Sequence, residues 1–203
     1  IDVHDDEMGF AKRPPLTDAA KLSAYAARLH KPSGGSRALH HLRYIVDNSA
    51  SPRETALCML LCMPPRFGGY GIALPELNRR IELTPREQLA VGVHHFDCDL
   101  YWPESRVAVE YDSAQFHAAY EKQERDAIRR NMLQYKGVHV ITATRLQVSS
   151  EGQFDKLAIQ VARKVGKRLR APAKEHVEER ANLRKTLFEW DVLRPSSDSD
   201  SDC

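Results

Sequence analysis

The stretch 96-FDCDLYWPESRVAVEYDSAQFH-117 sets Asp97, Asp99, Glu110, Asp112 and His117 inside what otherwise reads as two buried strands and a turn. The flanking runs, 89-LAVGVHHFDCDLYW-102 and 106-RVAVEYD-112, are rich in aromatic and β-branched residues, and Pro103, Glu104 and Ser105 suit the connection. Strand alternation puts Val93, His95, Asp97 and Asp99 on one face of the first strand and Ala108, Glu110 and Asp112 on one face of the second. An unpaired buried carboxylate costs several kcal/mol, so acids placed this way are expected to meet a cation, a partner charge or water.

Working outward, a strand is predicted near Asn78 to Leu83, with Pro85 marking the next turn. Downstream come an amphipathic helix over 118–135 that stops at Gly137, a short β-branched strand 138-VHVITAT-144, and a helix over 151–169 that Pro172 breaks. A further helix is predicted in 174-KEHVEERANLRKTLFEW-190. Upstream, Ser51 is placed to cap a helix whose first turn takes Pro52, with Glu54 at the capping-box spacing and Ala56 to Met63 as its apolar face; Pro64 and Pro65 end it. A short helix from Asp18 to Leu29, capped by Thr17, and the apolar segment 37-RALHHLRYIV-46 precede it. This order predicts an α/β protein with a central mixed β-sheet flanked by helices.

The 203 residues, 42% of them apolar, suffice for one well-buried domain with flanking segments. We expect a leader over 1–34, an α/β domain over 35–170, a helical extension over 171–194 and an acidic, disordered tail over 195–203. Ile1 in place of an initiator Met suggests that the leader is the end of a longer upstream region. No stretch approaches the roughly 18 continuous apolar residues of a membrane span, and no signal-peptide pattern opens the chain, so no membrane contact and a cytoplasmic location are expected. The four cysteines, Cys58, Cys62, Cys98 and Cys203, form no C-x-x-C pair and read as free thiols. His94, His95 and Cys98 do not make a zinc pattern, because alternation separates the two histidines. The net charge of +2 conceals a basic run, 163-RKVGKRLR-170, and the acidic 196-SSDSDSDC-203.

The run D-L-Y-W-P-E-S-R-V-A-V-E-Y-D from Asp99 to Asp112, followed by His117, Arg125-Asp126, Arg129, Leu133 and Gly137, resembles the very-short-patch-repair-like branch of the PD-(D/E)xK nuclease superfamily. S-A-S-P-R-E-T at 49–55 and P-E-L-N at 75–78 extend the resemblance over roughly residues 35 to 150. It implies a restriction-endonuclease-like core and Mg²⁺- or Mn²⁺-dependent cleavage of DNA, with Asp99 and Glu110 as the metal-binding acids. Asp112 stands where the wider superfamily has a lysine, which leaves His117 as the candidate proton acceptor or, equally, a structural histidine. Ser113 replaces a common glycine.

Two readings stay open for Glu54, a third acid beside the metal or a helix cap. Asp126 either pairs with Arg129 one helical turn away or supports the site from behind its ligands. Lys122, Arg125, Arg129 and Arg130 are the candidate phosphate contacts. Against the nuclease stand a catalytically weak nucleic-acid-binding or antitoxin-like regulatory protein that keeps the fold, and a structural domain whose acids pair with Arg125, Arg129 or Arg130.

Overall fold

The computed structural model describes residues 15–29, 35–112, 120–169 and 174–188, without the side chains of 120–123, 174 and 175. His117, Ser113, Cys203 and the acidic tail lie outside the described residues. The chain forms two compact units, Ile1–Asp47 and Asn48–Cys203. In the first, helices α1 (Ala19–Arg28) and α2 (Gly35–Leu42) pack against each other. Asp18, rather than Thr17, caps α1, accepting from Lys21 N–H at 2.7 Å, and the Asp47 carboxylate takes the Ala19 N–H at 3.0 Å.

The second unit is α/β, with a four-stranded mixed sheet flanked by helices. Helix α3 (Pro52–Cys62) starts as its sequence requires: the Ser51 side chain accepts from Glu54 N–H, and Pro52 occupies the first turn. Ala56, Leu57, Cys58, Leu60, Leu61 and Cys62 are all buried, so apolar residues surround most of the helix and it sits centrally. A 3₁₀ turn over Pro65–Phe67 follows. Then come β1 (Glu76–Glu82), α4 (Pro85–Val91), β2 (His95–Trp102), β3 (Val107–Asp112), α5 (Tyr120–Tyr135), β4 (His139–Thr144), α6 (Arg145–Ser149), α7 (Glu151–Lys164) and α8 (Lys174–Phe188). Sheet order is β1-β2-β3-β4, with the first two pairings antiparallel and β3 parallel to β4 through the α5 crossover.

Two short helices stand where none was predicted from the sequence. Residues 85–91 form α4 rather than a turn leading into the strand, because Thr84 and Glu87 make a full capping box and Gly92 closes the helix at φ 75°; β2 therefore begins at His95, and Val93 lies outside it. Helix α6 is likewise set by a capping box, Thr144 with Gln147. Helix α7 ends at Lys164, earlier than the Leu169 boundary, and Gly166 follows at φ 78°.

Leu100, Val107, Val109, Phe154, Leu157 and Val161 are fully buried, and α3 and α7 contact β3. A second cluster, Cys98, Tyr101, Ala108, Leu133 and Val138, forms where α5 packs on the sheet. Helix α8 packs on the 3₁₀ turn and α3. It passes close over Gly68 (φ 87°), where a β-carbon would lie 2.3 Å from the Glu179 carbonyl oxygen. Among the described residues no helix is long and apolar enough to cross a membrane.

Candidate functional site

Leu100 pairs with Val109 in the antiparallel β2–β3 ladder, so one residue further along stand Asp99 and Glu110. At this level the sheet departs from regularity. The β1–β2 ladder pairs Leu77 with Leu100 and Arg79 with Cys98 but skips Asn78 and Asp99, and Asn78 takes a left-handed backbone at φ 48°. Asn is among the few residues that adopt this conformation at modest cost. Cys98 and Tyr101, an odd number of residues apart, consequently share one core cluster, which strict alternation forbids.

The freed groups serve the acids. Tyr111 N–H donates to Asp99 Oδ2 at 2.7 Å. The Asn78 side-chain amide donates to Glu54 Oε2 at 2.6 Å, and Glu54 also accepts from Ala50 N–H and the Ser51 hydroxyl, both at 2.9 Å. Glu54 is 8% exposed, so its cap is made inside the protein, and its charge acts on Asp99. Of the two readings of Glu54, the cap is what its hydrogen bonds make: it secures the start of α3, and its negative charge also acts on Asp99.

Glu110 is held by Arg129, whose Nη2 lies 3.0 Å from each carboxylate oxygen. The same nitrogen donates to the Asp97 carbonyl, and the guanidinium stands 5.9 Å from the centre of the Phe96 ring. Arg129, sought along a DNA path, is therefore turned onto the acids. Burial is the main force on both carboxylates. It lifts Asp99 to about 6, helped by Glu54 and opposed by the Tyr111 N–H and Arg129. It lifts Glu110 to about 7 against the pull of Arg129, with repulsion from Asp99 adding to the rise. Burial first, then the neighbouring Glu110 charge, pushes the Cys98 thiol up to about 12, so it stays protonated and hydrogen-bonds the Glu110 carboxylate.

The remaining candidates lie around this centre. Asp112 is exposed at the end of β3. Asp97 is exposed and pairs with Arg80 at 3.2 Å and His95 at 3.6 Å, outside the cluster. Arg125, Asp126 and Arg130 are exposed on α5, and the Lys122 side chain falls outside the described set, as does His117. Asn78, read as the start of a strand, and Cys98, read as a free thiol outside any zinc pattern, were not assigned to the acid site from sequence; an Asn inside a strand, between Leu77 and Arg79, was the readable sign of the first.

The donor set fits Mg²⁺ or Mn²⁺. Asp99 and Glu110 offer hard oxygen ligands, and both remain raised although Arg129 attracts each, so one guanidinium does not neutralise them. Among the described residues no group of three His, Cys, Asp or Glu side chains is arranged to hold an ion. The fit is thus to an ion held by two carboxylates, with water and phosphate completing its shell. No family model, curated protein or solved structure matches the chain.

Proposed function

We propose that the chain is a metal-dependent endonuclease that hydrolyses phosphodiester bonds of DNA in the cytoplasm, with Asp99 and Glu110 holding Mg²⁺ or Mn²⁺. The supporting observation is the pair of half-buried carboxylates on adjacent strands, both raised by desolvation and incompletely compensated by Arg129. A bound ion would supply neutralisation of charge at the scissile phosphate and acidification of a water. The chain's own residues do the rest. Tyr111 N–H fixes the Asp99 carboxylate, and Asn78 and Ser51 hold Glu54 behind it. Arg129 bonds Glu110 in the free protein and, once released from it, is placed to face a phosphate oxygen. His117 is assigned the proton-accepting role on resemblance alone, since Asp112 occupies the place of the usual lysine.

The test is nicking of supercoiled plasmid with Mg²⁺, Mn²⁺ or EDTA by wild type, Asp99→Asn and Glu110→Gln. Metal-dependent nicking by the wild type alone is expected. Equal nicking by all three, or none with either metal, overturns the reading.

A second reading draws on a specific contact. Because Arg129 occupies both oxygens of Glu110, the same fold suits a nucleic-acid-binding regulatory protein whose metal site is permanently filled by a guanidinium. In that case Mn²⁺ leaves the melting temperature of the wild type unchanged.

A further inference from the structure

Between β1 and the C-terminal end of α5 lies an open groove of about 630 Å³ that shares no lining residue with the acid cluster. Arg79, Arg80, Arg106 and Lys136 line it, with Tyr101 and Tyr135 among them. Two acids, Glu82 and Glu87, also face it, and Lys136 already neutralises Glu87 at 3.0 Å. Arg79 pairs with Glu76 at 3.0 Å and Arg80 with Asp97 at 3.2 Å, but every partner is more than a third exposed. Such pairs are weak in water and yield readily to a phosphate.

Arg106 is placed with more care. It sits in the β2–β3 turn at φ 51°, a conformation that L side chains rarely adopt, and its carbonyl accepts from His139 N–H at 2.8 Å. Its guanidinium lies beside Gly137, where an added β-carbon would stand 3.4 Å from Nη1, so the backbone closing α5 leaves room for it. Tyr135, two residues earlier, is 79% exposed. A large ring left in water among cations offers a stacking platform that a general polyanion surface does not need.

We propose that this groove binds single-stranded nucleic acid, with backbone phosphates against Arg79, Arg80 and Arg106 and an unpaired base stacked on Tyr135. A duplex keeps its bases stacked on one another and presents no free face to the ring, whereas a single strand does. The site takes a strand rather than cutting it, and it stands or falls separately from the nuclease reading.

The full chain is titrated, in EDTA, against a short fluorescent oligothymidylate and against the same strand annealed to its complement. Tyr135→Ala is expected to weaken single-strand binding roughly tenfold with the salt dependence unchanged. Arg106→Gln is expected to flatten the slope of log K against log salt by about 0.7, the signature of one lost phosphate contact on a single strand. Both positions are exposed, and equal melting temperatures establish that both variants fold. Wild-type binding by both variants, or an equal loss on strand and duplex, overturns the assignment. Tyr135-dependent binding by a protein that never nicks sinks the nuclease reading and keeps this one; nicking by a chain whose strand binding ignores both substitutions does the reverse.

Discussion

Glu110 concentrates the chemistry of this protein in one side chain, because burial, Asp99, Arg129 and Cys98 all act on it at once. Folding raises Asp99 from 3.8 to about 6 and Glu110 from 4.5 to about 7. At these two groups the folded state therefore binds more protons than the unfolded chain between these limits, and the stability they contribute is fully present below about pH 4 and falls as pH rises through 6 and 7. At about 1.4 kcal/mol per unit, each group amounts to roughly 3 kcal/mol in the metal-free protein. Glu110→Gln removes one of the two, so its denaturation midpoint at pH 8 should exceed that of wild type, while the two proteins converge near pH 4. A midpoint below wild type at pH 8 would show that the Arg129 pair outweighs burial. Mn²⁺ should restore wild type and leave Glu110→Gln unmoved, by about 2.7 kcal/mol at a hundredfold excess over the dissociation constant. Asn78 is the other sensitive position. Asn78→Ala keeps a strained φ of 48° and strips a partner from buried Glu54, for an expected loss of about 2–3 kcal/mol in urea denaturation. Asn78→Gly should recover about 1 kcal/mol of that by relieving the backbone alone.

Among elements, α8 is seated over a glycine that leaves no room for a side chain. Gly68 combines φ 87° with a position so close to α8 that an added β-carbon would stand 2.3 Å from the Glu179 carbonyl oxygen and 2.7 Å from the Leu183 β-carbon. Beneath the helix, Arg180 stacks 3.9 Å from the Tyr70 ring centre and bonds Asp155 at 3.1 Å, and Arg184 donates to the Val148 carbonyl at 2.5 Å. Gly68→Ala should therefore lift α8 before it disturbs the sheet. Amide exchange should rise sharply across residues 174–188 and stay near wild type in β2 and β3, with a total cost of about 1–3 kcal/mol. Uniform loss of protection would instead make α8 part of the same cooperative unit as the core.

For the whole molecule, the division at Asp47 and Asn48 puts all four strands, both core clusters and the acid centre in the second unit. A chain beginning at Asn48 keeps Asn48 itself, whose carbonyl accepts from the Asn78 amide at 2.8 Å. It should melt in one calorimetric transition with the response of the full chain to pH and Mn²⁺. A broad transition, or loss of the sheet signal in circular dichroism, would show that residues 1–47 are needed to hold the second unit together.

What could be read from the chain alone follows from forces that act between near neighbours. Ser51 and Pro52 start α3, Pro64 and Pro65 stop it, Gly137 closes α5, and the β-branched runs at 107–112 and 139–144 become β3 and β4. The same local chemistry was present for α4, as Thr84 and Glu87, but there the run from Leu89 to Trp102, with its aromatic and β-branched residues, was read as one strand. Asp99 and Glu110 were legible as neighbours because hairpin register is also nearly local. Which cation met them was not. Arg125, Arg129 and Arg130 look alike on paper, and only the docking of α5 through Leu133 onto Cys98, Tyr101 and Ala108 turns Arg129 inward and leaves the other two in water. The shift in strand phase at Asn78, the inward turn of Glu54 and the raised carboxylates have the same origin, since charge and burial act through space over distances that sequence separation does not encode.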